Sequence, residues 1–198
     1  CEGPVRQSRS PGRVWTTVGR AQVRAHDNQA KHRAATGHRT HSGTDSGMDR
    51  GATLSIEATS MIGNSTTYSG GAVSTAVPTT ISNSTFSDNR TTTKNYLSFY
   101  EGGGAIEVRN DDYVFEVLIR HSTITGNVSS DNGGGISNVA DASVILDNTI
   151  VANNTASYTG NDLYGTFSTG GHNLIGDNSG HTGFTNGTNS DQVGTNAD

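Results

Sequence analysis

From Leu54 onward, apolar residues occur in short isolated runs separated by Ser, Thr, Asn and Gly, and the runs keep register with one another. Ile56, Ile81, Ile119 and Ile145 are each followed five positions later by a second apolar residue, Met61, Phe86, Ile124 and Ile150. Three positions further on stands an asparagine: Asn64, Asn89, Asn127 and Asn153. A glycine doublet or triplet then leads into an aliphatic residue, at Gly70-Gly71-Ala72-Val73, Gly103-Gly104-Ala105-Ile106 and Gly133-Gly134-Gly135-Ile136, with Leu163 in that slot of the fourth copy. Asn173-Leu174-Ile175-Gly176-Asp177-Asn178 reads as a decayed fifth copy. Runs this short, bounded by turn residues and carrying Ile, Thr and Val, predict strands rather than helices.

The copies start at 56, 81, 119 and 145, so they are 25, 38 and 26 residues apart. The long interval holds two insertions, one around Thr91 to Glu101 and one around Arg109 to Tyr113; without them a period of about 25 remains. That period belongs to a solenoid. Leucine-rich repeats demand more leucine than this segment has, and propeller blades need ~40 residues or more. The pattern therefore predicts an all-β fold, a single-stranded parallel β-helix of about five coils over residues 51–180, right-handed by the family resemblance given below. Successive coils stack at ~4.8 Å.

In such a coil Ile56, Ile81, Ile119 and Ile145 form one inward column, and Met61, Phe86, Ile124, Ile150 and Ile175 a second. Val73, Ile106 and Ile136 form a third. The five-residue step breaks strict alternation and places a bend near Asn83-Ser84 and His121-Ser122. Asn64, Asn89, Asn127 and Asn153 fall at a corner, where stacked amides can bond coil to coil and tolerate left-handed backbone. Because these asparagines also head Asn-x-Ser/Thr triplets, the corner reading takes them as ladder positions rather than glycan acceptors.

Composition supports a thin core only: 30% hydrophobic residues, 26 glycines and a mean hydropathy of −0.54. Charge divides the chain. Residues 1–50 carry 9 Lys and Arg against 4 Asp and Glu, and residues 51–198 carry 4 against 14. The head shows no apolar period, Val14-Trp15 being its one compact hydrophobic pair. It reads as a disordered basic segment foreign to the repeat, in which His26, His32, His38 and His41 follow no metal-site spacing. Nothing in it promises a cap for the first coil. Residues 181–198 read as a polar C-terminal loop. Open ends with exposed apolar columns predict a chain prone to stack end to end.

The acidic repeat argues against a nucleic-acid partner, and no apolar run reaches membrane-spanning length. Cys1 is the sole cysteine, so an internal disulfide is ruled out. No cofactor is expected. The tail is rich in Asn, Asp and Gly, the residue types of calcium loops, but it lacks the nonapeptide pattern of calcium-loaded β-rolls.

An enzymatic site on a β-helix needs carboxylates clustered on one outer face, as an acid/base pair or as calcium ligands. The best cluster is Glu107, Arg109, Asp111, Asp112, Glu116, Arg120 and His121, of which Asp111, Asp112, Arg120 and His121 are the candidates for catalysis. The neighbouring copies offer only Asp147 at a matching position, so no groove spanning several coils emerges. His172 reads as a turn residue.

The glycine motifs resemble the GGAI motif of bacterial polymorphic outer-membrane proteins, and Phe86-Ser87-Asp88-Asn89 is similar to their FxxN motif. More broadly, residues 54–180 resemble the right-handed parallel β-helix, or pectin-lyase-like, repeat. Asn148 to Asn154 with Asp162-Leu163-Tyr164-Gly165 and Gly171 to Asp177 is similar to bacterial surface proteins with a choice-of-anchor domain. The resemblance implies a structural or adhesive, non-catalytic module of a longer secreted protein, displayed on the bacterial surface or outer membrane and binding a cell-surface or glycan ligand. An alternative stays open: a fragment of a polysaccharide lyase or glycoside hydrolase whose catalytic coils lie elsewhere.

Overall fold

The computed structural model describes residues 14–18, 21–26, 53–92, 102–109, 114–140 and 142–195, with side chains from residue 53 onward. Its strands are short because each runs only between two corners. The first coil comprises β3 (Thr53–Glu57), β4 (Ser60–Ile62), β5 (Ser65–Thr66) and β6 (Val73–Thr75). The second comprises β7 (Thr79–Ser82), β8 (Thr85–Ser87), β9 (Arg90–Thr91) and β10 (Ile106–Val108). The third has β11 (Glu116–Arg120), β12 (Thr123–Thr125), β13 (Val128–Ser129) and β14 (Ile136–Asn138), and the fourth β15 (Ser143–Asp147), β16 (Ile150–Ala152), β17 (Thr155–Ala156) and β18 (Leu163–Thr166). The fifth has β19 (Ser168–Gly171), β20 (Leu174–Ile175) and β21 (His181–Thr182), and a 3₁₀ turn at Thr188–Ser190 leads to β22 (Gln192–Val193) beneath it.

Equivalent strands pair in parallel and make four faces. Sheet A runs β3-β7-β11-β15-β19, sheet B β4-β8-β12-β16-β20-β22, sheet C β5-β9-β13-β17 and sheet D β6-β10-β14-β18-β21. The result is the right-handed parallel β-helix that the repeat and the resemblance predict, the hand that parallel crossovers almost always take.

The core is a set of columns. Ile56, Ile81, Ile119 and Leu146 stack in register on sheet A, and Met61, Phe86, Ile124, Val151 and Ile175 on sheet B. Val73, Ile106, Ile136 and Leu163 stack on sheet D. All of these are buried, so each coil removes its apolar side chains from water only by sitting on its neighbour. At the corner between sheets D and A, the aromatic side chains of Phe115, Phe167 and Phe184 fill the interior, and Phe184 closes it from below at a ring-centroid distance of 6.3 Å from Phe167.

The fourth coil corrects three expectations by one residue. Ile145 faces outward and is half-buried, Ile150 is 43% exposed, and Asn153 is exposed; Leu146, Val151 and Asn154 take the inward places. This coil carries doublets at every diagnostic position, Ile145-Leu146, Ile150-Val151 and Asn153-Asn154, so two registers satisfy the linear pattern equally. The backbone decides between them. Each corner from sheet A to sheet B needs a left-handed residue, supplied by Ala58, Asn83, His121, Asn148 and His172 at φ 47, 49, 48, 48 and 56°. Each corner from B to C needs another, at Gly63, Asp88, Gly126 and Asn153, φ 69, 56, 67 and 60°. The other register would put Asp147 and Ala152 at these corners; Asn adopts left-handed backbone more readily than Ala, so Asn153 becomes the B-to-C corner, Asn148 holds the matching A-to-B corner, and the next residue, Asn154, turns inward.

Two further expectations change. The tail is not a plain loop: β21, the 3₁₀ turn and β22 lie within it, and Val193 packs in register under Ile175. In the head, where no regular structure was expected, the backbone forms β1 (Val14–Val18) and β2 (Ala21–His26), an antiparallel pair whose second strand lies antiparallel on β3. The sequence rationale is a pair of runs containing Val and Thr, separated by Gly19-Arg20. The other positions of the head, and those of most of the two insertions, lie outside the described residues.

Candidate functional site

The cluster proposed for chemistry is dispersed. Arg120 ends β11 on the outer face of sheet A, exposed, between Ser82 and Asp147 in the sheet register. His121 is the left-handed corner residue that follows, also exposed, and His172 repeats the role two coils below. Both imidazoles occupy turn positions that Asn and Ala fill in other coils. Asp111 and Asp112 lie outside the described residues. Glu107 is elsewhere, on sheet D. It is fully buried although strand alternation points it outward, accepts a hydrogen bond from Ser74 Oγ at 2.8 Å and has Arg109 Nε at 3.9 Å. Among the described residues no group of three or more His, Cys, Asp or Glu side chains is placed to hold a metal ion, and no helix is long and apolar enough to cross a membrane.

The polar chemistry is concentrated in two ladders along the corners. At the B-to-C corner the side chains of Asn64, Asn89, Asn127 and Asn154 form a chain: each amide Nδ2 donates to the Oδ1 of the next at 2.8, 2.9 and 2.8 Å. Each of these Oδ1 atoms also accepts the main-chain N–H of the asparagine above it, at 3.0, 2.9 and 3.0 Å. The second amide hydrogen returns to the coil above, from Asn89 to Met61 O, from Asn127 to Phe86 O and from Asn154 to Ile124 O. A buried amide is costly unless its donors and acceptor are all engaged; here the repeat engages them.

The chain ends on a carboxylate. Asn154 donates its N–H and its Nδ2 to Asp162 Oδ1 at 3.0 and 2.8 Å, and the Asp177 N–H reaches Asp162 Oδ2 at 2.8 Å. Asp162 stands in the slot that Ala72, Ala105 and Gly135 hold in the coils above, as the shared main-chain bonding shows. Burial raises its pKa above the ordinary carboxylate value, its hydrogen bonds from Asn154 and Asp177 opposing the shift and the nearby Asp177 charge adding to it.

The second ladder lines the A-to-B corner with hydroxyls. Thr59 N–H donates to Ser84 Oγ and Ser84 N–H to Ser122 Oγ, each at 3.2 Å. Lower down, Thr149 N–H donates to Asn173 Oδ1 at 3.0 Å, and Asn173 donates its N–H and Nδ2 to Asp191 Oδ1 at 2.9 and 3.0 Å. The linear pattern did not reveal this ladder. Its members follow the left-handed corner residue by one position, a signal visible only once the corners are known.

His181 is the other notable group. Among the described residues neither of its buried ring nitrogens has a hydrogen-bond partner, and the ring meets Phe184 edge-on at 5.6 Å. Burial lowers its pKa below the usual histidine value, with Asp177 acting in the opposite direction.

Comparison with known families agrees with the repeat. The model described as the Chlamydia polymorphic membrane protein repeat matches residues 121–139. That segment covers three of the four faces of one coil, from the left-handed His121 through the ladder residue Asn127 and the glycine corner to β14. No curated protein and no solved structure matches the chain.

Proposed function

We propose that this chain is a structural or adhesive, non-catalytic β-helical module of a longer secreted protein, displayed on the bacterial surface or outer membrane. The observation that supports this best is the use to which the polar residues are put. The buried asparagines, hydroxyls and aspartates are consumed coil by coil in ladders that hold the stack, and the outer candidates Arg120 and His121 stand apart as an exposed strand end and a corner. The match of residues 121–139 to a polymorphic membrane protein repeat supports display at the surface. Its partner is a cell-surface or glycan ligand, met by the outer faces of the sheets.

A glycan screen tests the reading. The expected result is retention of the protein on cell-surface material or a glycan array with no release of reducing or unsaturated ends. Calcium-dependent cleavage of an acidic polysaccharide, lost on Asp111→Asn with Asp112→Asn, overturns it.

A further inference from the structure

Both ladders end on buried aspartates, but only one of them is complete. Asp162 receives Asn154 through Oδ1 from above and the Asp177 N–H through Oδ2 from below. Asp191, 1% exposed, receives Asn173 through Oδ1 in the same way. Its Oδ2 is buried and has no donor among the described residues. A buried carboxylate oxygen without a donor is unfavourable, and by analogy with Asp162 the missing donor belongs to a coil beneath.

The upper end presents a free main-chain donor. The N–H groups of Thr85, Thr123, Ile150, Leu174 and Gln192 all donate upward, to the carbonyls of Thr59, Ser84, Ser122, Thr149 and Asn173. Ser60 holds the same position in the first coil, so its N–H faces the free upper edge of β4, and in a stacked copy the same register aims it at the main-chain carbonyl of Asp191. In the described structure sheets B, C and D are open at both ends.

Sheet A is not. At the top β2 lies on β3, and at the bottom the 3₁₀ turn follows β19, with Asn189 O accepting the His172 N–H. A second copy placed with its β4 under β22 would bring its β3 under the 3₁₀ turn. Its β2, one level above β3, would then need the space that turn occupies. The hairpin and a stacked copy exclude each other.

We infer that the lower end of this β-helix is a seat for the first coil of a second copy, and that the β1–β2 hairpin is the guard that keeps the seat empty while β2 stays on β3. The hairpin can be released by one substitution. Leu54 and Ala58 direct their N–H groups down to Pro78 O and Ser82 O, so the intervening Ser55 faces β2, opposite Arg24. Proline at 24 removes that main-chain donor.

Sedimentation velocity of the full chain over a wide concentration range tests the pair. The wild type is expected to stay monomeric. Arg24→Pro is expected to form species that grow with concentration, and adding Ser60→Pro is expected to return it to monomer with an unchanged β-sheet circular dichroism signal. Proline at 60 removes a main-chain donor from the free edge of β4, where it has no partner to lose among the described residues. A wild type that assembles as Arg24→Pro does, an Arg24→Pro chain that stays monomeric, or assembly indifferent to Ser60→Pro overturns the inference.

Discussion

The Asn127 side chain donates to Asn154 Oδ1 at 2.8 Å, while Asn153, one residue earlier in the chain, is exposed at φ 60°. Two adjacent asparagines thus have opposite duties. Asn154→Ala leaves the Asn127 N–H and Nδ2 without their acceptor and strips Asp162 of two donors. It is expected to destabilise by about 2–5 kcal/mol, since each buried group left unpaired costs about 1–3. Asn153→Gly keeps the left-handed corner and should stay within about 0.5 kcal/mol of wild type. Urea denaturation of both variants checks this, and similar losses would contradict the assignment of the corner.

The same one-residue distinction holds in the core. Leu146 is fully buried, and Leu146→Ala is expected to cost about 2–5 kcal/mol; Phe86→Ala, also at 0% exposure, about 3–5. Ile150 is 43% exposed on the outer face of sheet B, and Ile150→Ala is expected to cost about 1 kcal/mol or less. Thermal or chemical denaturation that ranked Ile150→Ala with Leu146→Ala would show the fourth coil in the other register.

The glycine corners are sites of close backbone approach. A Cβ on Gly104 would lie 2.1 Å from Gly134 O and 2.7 Å from the Val128 carbonyl carbon, so Gly104→Ala must push two coils apart. A loss of about 1–3 kcal/mol is expected. Gly63, at φ 69° with open space around it, accepts Asn with little change. Side-by-side melting curves of Gly104→Ala and Gly63→Asn provide the comparison.

Stability should respond to pH through Asp162. Its folded pKa is raised above 3.8, so the folded state holds the proton more tightly than the unfolded chain. Its contribution is therefore greatest below 3.8 and is lost as pH rises through the folded value. Asp162→Asn removes this titration and flattens that part of the stability profile, though it also sets an amide against the Asp177 N–H and lowers stability throughout.

His181 works with the opposite slope. Its folded pKa is depressed below 6.5, so the contribution is fully present above 6.5 and is lost as pH falls through the folded value. His181→Phe fills the same space beside Phe184 without a titrating group. Denaturation midpoints measured from neutral to mildly acidic pH should fall for the wild type and less for His181→Phe; parallel curves would exclude the imidazole as the cause.

The sequence by itself determined the fold class, the period, and the inward columns of the first three coils. A column is an apolar residue repeated at a near-constant step once the insertions are set aside, and burial against the apolar residue above and below leaves that step in the chain. It could not choose the register of the fourth coil, where every diagnostic position is doubled, although the residue before each ladder asparagine, Gly63, Asp88 or Gly126, carried the clue in its taste for positive φ. Nor did it show that Asp162 and Asp191 close the two ladders, that β2 lies on β3, or that Arg120 and His121 stand apart from Glu107. Those relations are decided between coils and across edges, by which donors find acceptors once the backbone has stacked, and local pattern does not carry that information.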